Sequence, residues 1–256
     1  MHNDFRPQSF IRPAIEAVHQ CARLVLQNMD RLDRLTSMPE GSNSPYTLQL
    51  EKTISDYLIE HLQQKFPDHN FFDACSNPHE LNLGDDVWII GGLCGVENFI
   101  HGLPLHSLSL AYMHKKQLMV SVIHNPVTDE TFTALQGQSA RLNDKRIRVG
   151  MHPSKLAKPL LDASSQTVPK TLQSVMHTLR MRHLANPSLS IAYVACGKLA
   201  VSHYQCMPYH HFAAAKLIAQ EARAKLSATT STTQLLTNEE VLCVGPSSMH
   251  SLTTAS

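Results

Sequence analysis

Residues Trp88–Pro104 read WIIGGLCGVENFIHGLP. An apolar run from Val87 to Ile90 meets two glycines, then Gly95, a polar pair at Glu97-Asn98 and a Gly-Leu-Pro exit. The pattern predicts a buried strand ending in a tight turn, where glycine permits positive φ and close backbone approach. Strand-end turns are where α/β proteins place their chemistry. Asn98 and Glu97 suit a helix start, so the pair is expected to cap a helix after the turn. The N–H groups that follow Gly95, around Val96 and Glu97, are then expected to offer an anion site.

The same stretch resembles the signature of the inositol monophosphatase family, W-I-I-D-P-[IL]-D-G-T-x-N-F-x-H-G-x-P. The frame agrees at Trp88, Ile89, Ile90, Gly95, Asn98, Phe99, His101, Gly102 and Pro104. The chemistry does not. Gly91 and Cys94 stand where the family has two metal-binding aspartates, and Val96 stands where it has its catalytic threonine. His101 belongs to the frame and reads as a structural residue of the turn rather than a base.

Outward from this stretch, apolar residues from Phe10 to Leu32 recur at helical spacing and predict a long amphipathic first helix. Arg31 to Pro45 carries Pro39, Gly41 and Pro45 and reads as a loop or exposed hairpin. A second helix is expected from about Leu50 to Lys65, followed by a short strand at Phe71-Phe72. The resemblance puts the family's metal-bridging glutamate on Ala74, between Asp73 and Cys75. It puts the aspartate of T-x-x-D on Glu51, a retained carboxylate one methylene longer. After the turn, Ser107–Met113, Leu118–His124 and Glu130–Leu135 alternate as strands, and 125–149 reads as a β-meander.

The C-terminal part is read similarly. One helix is expected near Leu172–Met181, another over Ser188–Gly197, then a strand at Leu199–Tyr204, a helix over Pro208–Glu221 and a strand at Val241–Pro246. The resemblance puts the family's G-S-A-A turn on Ala185, Asn186, Pro187 and Ser188, and its third metal-binding aspartate on His211. Its substrate-contacting glutamate falls on Tyr204, and E-A-G-G on Glu221, Ala222, Arg223 and Ala224. The likeness spans nearly the whole chain. It implies a layered αβαβα sandwich, with residues 1–150 as an α+β half and 151–256 as an α/β half of one compact unit.

Composition sets broad bounds. The chain has 256 residues, 43% hydrophobic and 17% charged, which suits a globular protein with a substantial core. A formal net charge of +1 gives no global field toward nucleic acid or an anionic membrane. The opening MHNDFRPQSF lacks the apolar core of a signal peptide, and no apolar run reaches membrane-spanning length. A cytoplasmic location is expected, with the six scattered cysteines as free thiols. The sixteen histidines include no HxxxH or HExxH pair, so most are expected at the surface or core edge.

Phosphate monoester hydrolysis calls for up to about 10²¹-fold acceleration. The resemblance implies that Mg²⁺ supplies it by activating water and neutralising charge. Mg²⁺ wants near-octahedral hard oxygen ligands, whereas Ala74, Gly91, Cys94 and His211 replace the carboxylates and Val96 replaces the hydroxyl. Three readings follow. In the first, the chain is a pseudoenzyme that needs no cofactor and acts by binding protein. A bacterial family member works in the Nus transcription-antitermination complex with other Nus factors and RNA polymerase, so a role in transcription or ribosomal RNA synthesis is the implied one. The resemblance also implies homodimerisation. In the second, the chain is an active Mg²⁺-dependent inositol-phosphate or sugar-phosphate monoesterase. In the third, Cys94 and His211, with Glu51, form a repurposed zinc site.

Overall fold

Two runs of helical periodicity and one run of alternation form the first two layers of the protein, a helix pair and a sheet. The computed structural model describes residues 6–29, 43–73, 84–150, 158–163, 170–174, 176–228 and 239–245. Helix α1 (Gln8–Met29) and helix α2 (Asn43–Lys65) lie on one face of a seven-stranded sheet. The sheet runs in chain order: β1 (Asn70–Phe72), β2 (Asp86–Cys94), β3 (Ser107–His114), β4 (Gln117–Asn125), β5 (Glu130–Leu135), β6 (Ala140–Leu142) and β7 (Lys145–Ile147). Only β1 and β2 pair in parallel; the other neighbours are antiparallel, as a meander requires.

A second sheet has the order β11-β12-β10-β8-β9. Its strands are β8 (Leu160–Ala163), β9 (Arg180–Arg182), β10 (Val201–Met207), β11 (Lys225–Ala228) and β12 (Glu239–Val244). Helices α5 (Pro187–Ala195) and α6 (Tyr209–Glu221) fill the space between the sheets. Both are buried nearly all round, which is why their sequences are apolar without a polar stripe. A short helix α4 (Lys170–Gln173) and a 3₁₀ turn at Met176–Thr178 cover the outer face of the second sheet through Leu172 and Met176. The architecture is the expected αβαβα sandwich.

Alternation selects which face each side chain serves. On β2, Trp88 and Ile90 face α1 and α2, while Val87 and Ile89 face α5 and α6. Trp88 is fully buried and its Nε1 donates to His69 Nδ1 at 3.1 Å. Phe10, Phe66 and Tyr112 close around it, with Phe10 stacked on Tyr112 at 4.3 Å between ring centroids. This aromatic group fastens the start of α1 and the end of α2 to the sheet.

Several sequence expectations shift. The second helix begins at Asn43, not Leu50, and takes in Pro45 within its first turn, where the missing N–H has no intrahelical acceptor to lose. The rest of the expected loop, 31–42, lies outside the described residues. A helix over Leu172–Met181 does not form. Leu172 and Leu179 are both buried, a seven-residue spacing that mimics two helical turns, but the chain turns and adds β9 to the free edge of β8. Strand β11 carried no clear alternation and was not anticipated.

Ile54 of α2 is fully buried against the first sheet. Ile54→Ala is expected to lower unfolding stability by about 2–5 kcal/mol, read as a reduced urea midpoint with unchanged slope.

Candidate functional site

Strand β2 does not end at its two glycines. Its pairing with β3 shifts between Ile90 and Gly92, so Gly91 is the extra residue of a β-bulge and the strand continues to Cys94. The bulge lets the backbone pass close to two neighbours. A Cβ on Gly91 would lie 1.9 Å from Ser109 Oγ and 2.7 Å from the carbonyl oxygen of His210 in the first turn of α6. The serine hydroxyl could rotate away. The carbonyl belongs to backbone and cannot, so only glycine fits here.

The turn itself is at Gly95, with φ +83°, where a Cβ would approach Leu105 O to 2.7 Å. Helix α3 (Val96–Ile100) follows and is only five residues long. The expected cap by Glu97 and Asn98 is not made. Gly95 is the N-cap and no side chain caps the helix. Asn98 turns inward instead and donates through Nδ2 to Leu105 O at 2.9 Å and Leu184 O at 2.7 Å, while Glu97 faces solvent. A one-turn helix puts its third residue against the core, a geometry that the residue types alone do not reveal. His101 is exposed at the end of α3, its N–H donating to Glu97 O.

Cys94 is fully enclosed at the end of β2. The N–H groups of Ser188 and Gly95 and the Ser188 hydroxyl lie within hydrogen-bonding reach of its sulfur, but burial prevails and holds the thiol above its ordinary pKa. The Ser188 hydroxyl donates to the carbonyl of His211 at 2.7 Å. The His211 imidazole is pulled down to about 4 by burial, with Glu51 opposing, and its Nδ1 has no hydrogen-bond partner among the described residues. The His210 ring lies tilted against it with centroids 4.3 Å apart, and falls to about 3 through burial and that neighbour. Burial raises the Glu51 carboxyl, and His211 opposes.

Glu51, Cys94 and His211 thus lie near enough to act on one another electrostatically: Glu51 opposes the shift of His211 and adds to that of Cys94. Tyr204 lies beside Cys94, its phenol donating to the buried Asp162 at 2.6 Å. Ala74 and Cys75 fall outside the described residues.

The most connected polar residue of the site is Asn186, which sequence reasoning placed in the G-S-A-A position without a role. It is the N-cap of α5, its Oδ1 accepting from Leu189 N at 2.9 Å. Its Nδ2 reaches Cys94 O, Leu105 O and Ser107 Oγ at 3.1–3.2 Å. One amide thus ties the helix layer to the end of β2 and the start of β3. The signal was legible: Asn followed by Pro at the first helical position is a helix start. Asp162, which holds Tyr204 and accepts from Leu184 N at 2.8 Å, had no such signal.

A family model described as the inositol monophosphatase family matches residues 6–256. The chain belongs to the inositol monophosphatase family. Among its relatives, the Nus factor SuhB of Pasteurella multocida is 29% identical over 218 residues, covering 82% of this chain and 81% of that protein. Inositol monophosphatase 3 of Solanum lycopersicum is 30% identical over 208 residues, covering 75% of each. Among solved structures, inositol monophosphatase from Anabaena superposes with TM-score 0.77 at 20% identity, covering 97% of this chain and 95% of that one. The suhB protein of Bartonella henselae gives TM-score 0.76 at 20% identity, covering 96% and 97%.

Inositol monophosphatases are generally Mg²⁺-dependent, and the described residues at this site do not fit that ion. Gly91 donates nothing and its side-chain direction is closed by backbone. Cys94 and His211 are soft or borderline donors, buried and neutral. Among the described residues, no group of three His, Cys, Asp or Glu side chains is placed to hold a metal ion. Four of the cysteines, Cys21, Cys94, Cys196 and Cys243, are buried free thiols.

Gly91→Ala is expected to cost about 1–3 kcal/mol by overpacking, and Gly91→Asp more, in urea unfolding. A fully stable Gly91→Asp protein would show that α6 can withdraw. Acid should also weaken the fold. His124, His210 and His211 all have folded-state values near 3–4, depressed by burial. Their contribution is complete above about pH 6.5 and is lost as pH falls toward 4, because the unfolded chain takes up their protons first. The expected slope is about 1.4 kcal/mol per pH unit for each histidine, with Glu51 working in the opposite sense. Urea titrations between pH 7.5 and 4.5 measure it, and His124→Gln should flatten it.

Proposed function

We propose that this protein has lost Mg²⁺-dependent phosphatase activity and acts by binding protein, in transcription antitermination or ribosomal RNA synthesis. The observation that carries the reading is the closed space at Gly91. The position that the resemblance assigns to a metal-binding aspartate is occupied by the His210 carbonyl and the Ser109 hydroxyl. A member that still hydrolysed phosphate esters this way would need room there for a carboxylate and a hydrated cation. Beside it, burial holds the Cys94 thiol up and the His211 imidazole down, so neither offers the charged hard oxygen donor that Mg²⁺ requires.

The choice of partner follows relatives named Nus factor SuhB, from Pasteurella multocida and Pseudomonas aeruginosa among others. Other Nus factors and RNA polymerase are the partners proposed. The reading places the protein in the cytoplasm as a homodimer, with residues 1–150 and 151–256 acting as one unit. No helix of the described residues is long and apolar enough to cross a membrane. A zinc site at Cys94, His211 and Glu51 is the lesser reading, since it offers mixed donors but an enclosed thiol held in its protonated form.

Two assays test the proposal together. Hydrolysis of inositol 1-phosphate is measured with Mg²⁺, Mn²⁺ and Zn²⁺ titrated in parallel. Co-elution of the protein with Nus factors and RNA polymerase from the same organism is followed by gel filtration. The expected result is turnover equal to the blank with every metal and a stable complex. Chelator-sensitive turnover with Mg²⁺ would overturn the reading in favour of an active monoesterase, and turnover with Zn²⁺ alone would favour the repurposed site.

A further inference from the structure

Trp88 is the only tryptophan of the chain, and its indole N–H donates to His69 Nδ1 at 3.1 Å. An indole nitrogen can only donate, so the imidazole nitrogen that receives it carries no proton. The pair therefore holds only while His69 is neutral. A doubly protonated ring has no acceptor left, and Trp88 is fully buried, so its N–H would lose that bond without gaining water.

His69 sits at a junction. It ends the turn that joins α2 to β1, with its N–H donating to Phe66 O at 3.2 Å. Its ring stacks on Phe66 at 5.0 Å and on Tyr112 at 5.4 Å between centroids, and lies 5.7 Å from the Phe10 ring. The start of α1, the end of α2 and strands β2 and β3 thus meet around one imidazole. The residue is half-buried rather than enclosed, so protons reach it without unfolding. Asp86 of β2 and the adjacent Asp68 favour its protonated form, and His114 of β3 disfavours it. The Asp86 carboxylate is also engaged by the Tyr112 hydroxyl and by His114 Nδ1, the latter at 2.6 Å. Helix α1 and the end of α2 present phenyl rings to it, Phe10 and Phe66. Burial is the largest influence and holds the ring below its ordinary pKa, so it is neutral at pH 7 and takes up a proton in mild acid.

We propose that His69 is the pin of an acid-sensitive clasp: protonating its ring breaks the Trp88 hydrogen bond and loosens the start of α1 and the end of α2 from the first sheet. The closed clasp needs the neutral ring, whereas an opened segment leaves His69 in water, where it is protonated more readily. Closure is therefore complete above about pH 6.5 and is lost as pH falls through the folded-state value. Opening uncovers Phe10 and Phe66. The clasp lies at the start of β2, away from the Gly91–His211 region, so it stands whether or not the protein hydrolyses esters.

Trp88 serves as its own reporter in the test. Tryptophan emission and far-UV circular dichroism are followed from pH 7.5 to 4.5 for the natural chain, His69→Gln and His114→Gln; glutamine offers an acceptor at every pH. The natural chain is expected to show a reversible one-proton change in emission below about pH 6.5 while its circular dichroism holds. His69→Gln should abolish the change and His114→Gln should keep it. Over the same range, hydrogen exchange corrected for its chemical rate should quicken about tenfold or more around Phe10 and Phe66 but not in β4. Flat emission, the same curve in His69→Gln, its loss in His114→Gln, emission that moves only together with circular dichroism, or unchanged exchange at Phe10 and Phe66 would overturn the proposal. If His69→Gln does not fold, the single indole N–H resonance of the natural chain decides the matter: it should shift with the emission, and a peak that stays still would overturn the clasp.

Discussion

The close passage of β2 beneath the first turn of α6 is the constraint on which the site depends. It exists because residue 91 has no side chain, and it puts the His210 carbonyl where a Cβ would otherwise sit. The bulge at Gly91 gives the strand its extra residue. The inward amide of Asn186 then fixes the strand end, the start of β3 and the N-terminus of α5 relative to one another. At Gly91 the His210 carbonyl and the Ser109 hydroxyl leave no room for a side chain. A side chain added at Gly91 or Gly95 therefore meets backbone rather than open space.

Electrostatics follow from that packing. An open cation site is built from ionised carboxylates, each stabilised by the metal and by water. Here burial pushes four groups near the strand end in the direction of their neutral forms: the Cys94 thiol up, the His210 and His211 rings down, the Glu51 carboxyl up. Tyr204 continues the trend, its phenol raised by burial and by the Asp162 carboxylate that it touches. The region is a packed polar core with its hydrogen bonds largely internal. A surface that recognises a macromolecule does not require this region to be open, so the proposed binding role is compatible with the packing.

Much of this was legible in the chain. The period of the apolar residues in α1 and the alternation across 107–147 gave the first sheet and its helices, because each of those elements buries one face. Trp88, Gly95, Asn98 and Gly102 located the turn, and the helix expected over Pro208–Glu221 put His211 in the first turn of α6. What was not legible depended on distant neighbours. Two glycines in sequence read as the end of a strand, whereas β3 shows that they form a bulge within it. Asn98 has the chemistry of a cap, but a five-residue helix turned it to the core. The strand at Arg180–Arg182 is wholly exposed, so no hydrophobic pattern marked it; pairing with β8 made it. Arg223 sits at φ +67°, in a position where the family pattern has glycine, and nothing local to the residue announces that conformation.

The central claim is that the end of β2 no longer holds a divalent cation, and equilibrium binding of the ions themselves tests it most directly. Purified protein, stripped by chelator and checked for native melting, would be titrated calorimetrically with Mg²⁺ and with Zn²⁺ near neutral pH. The account predicts no saturable Mg²⁺ binding at millimolar ion. Stoichiometric Mg²⁺ binding that disappears in Glu51→Gln would contradict it, because it would mean that the space around Gly91 opens to admit a hydrated cation.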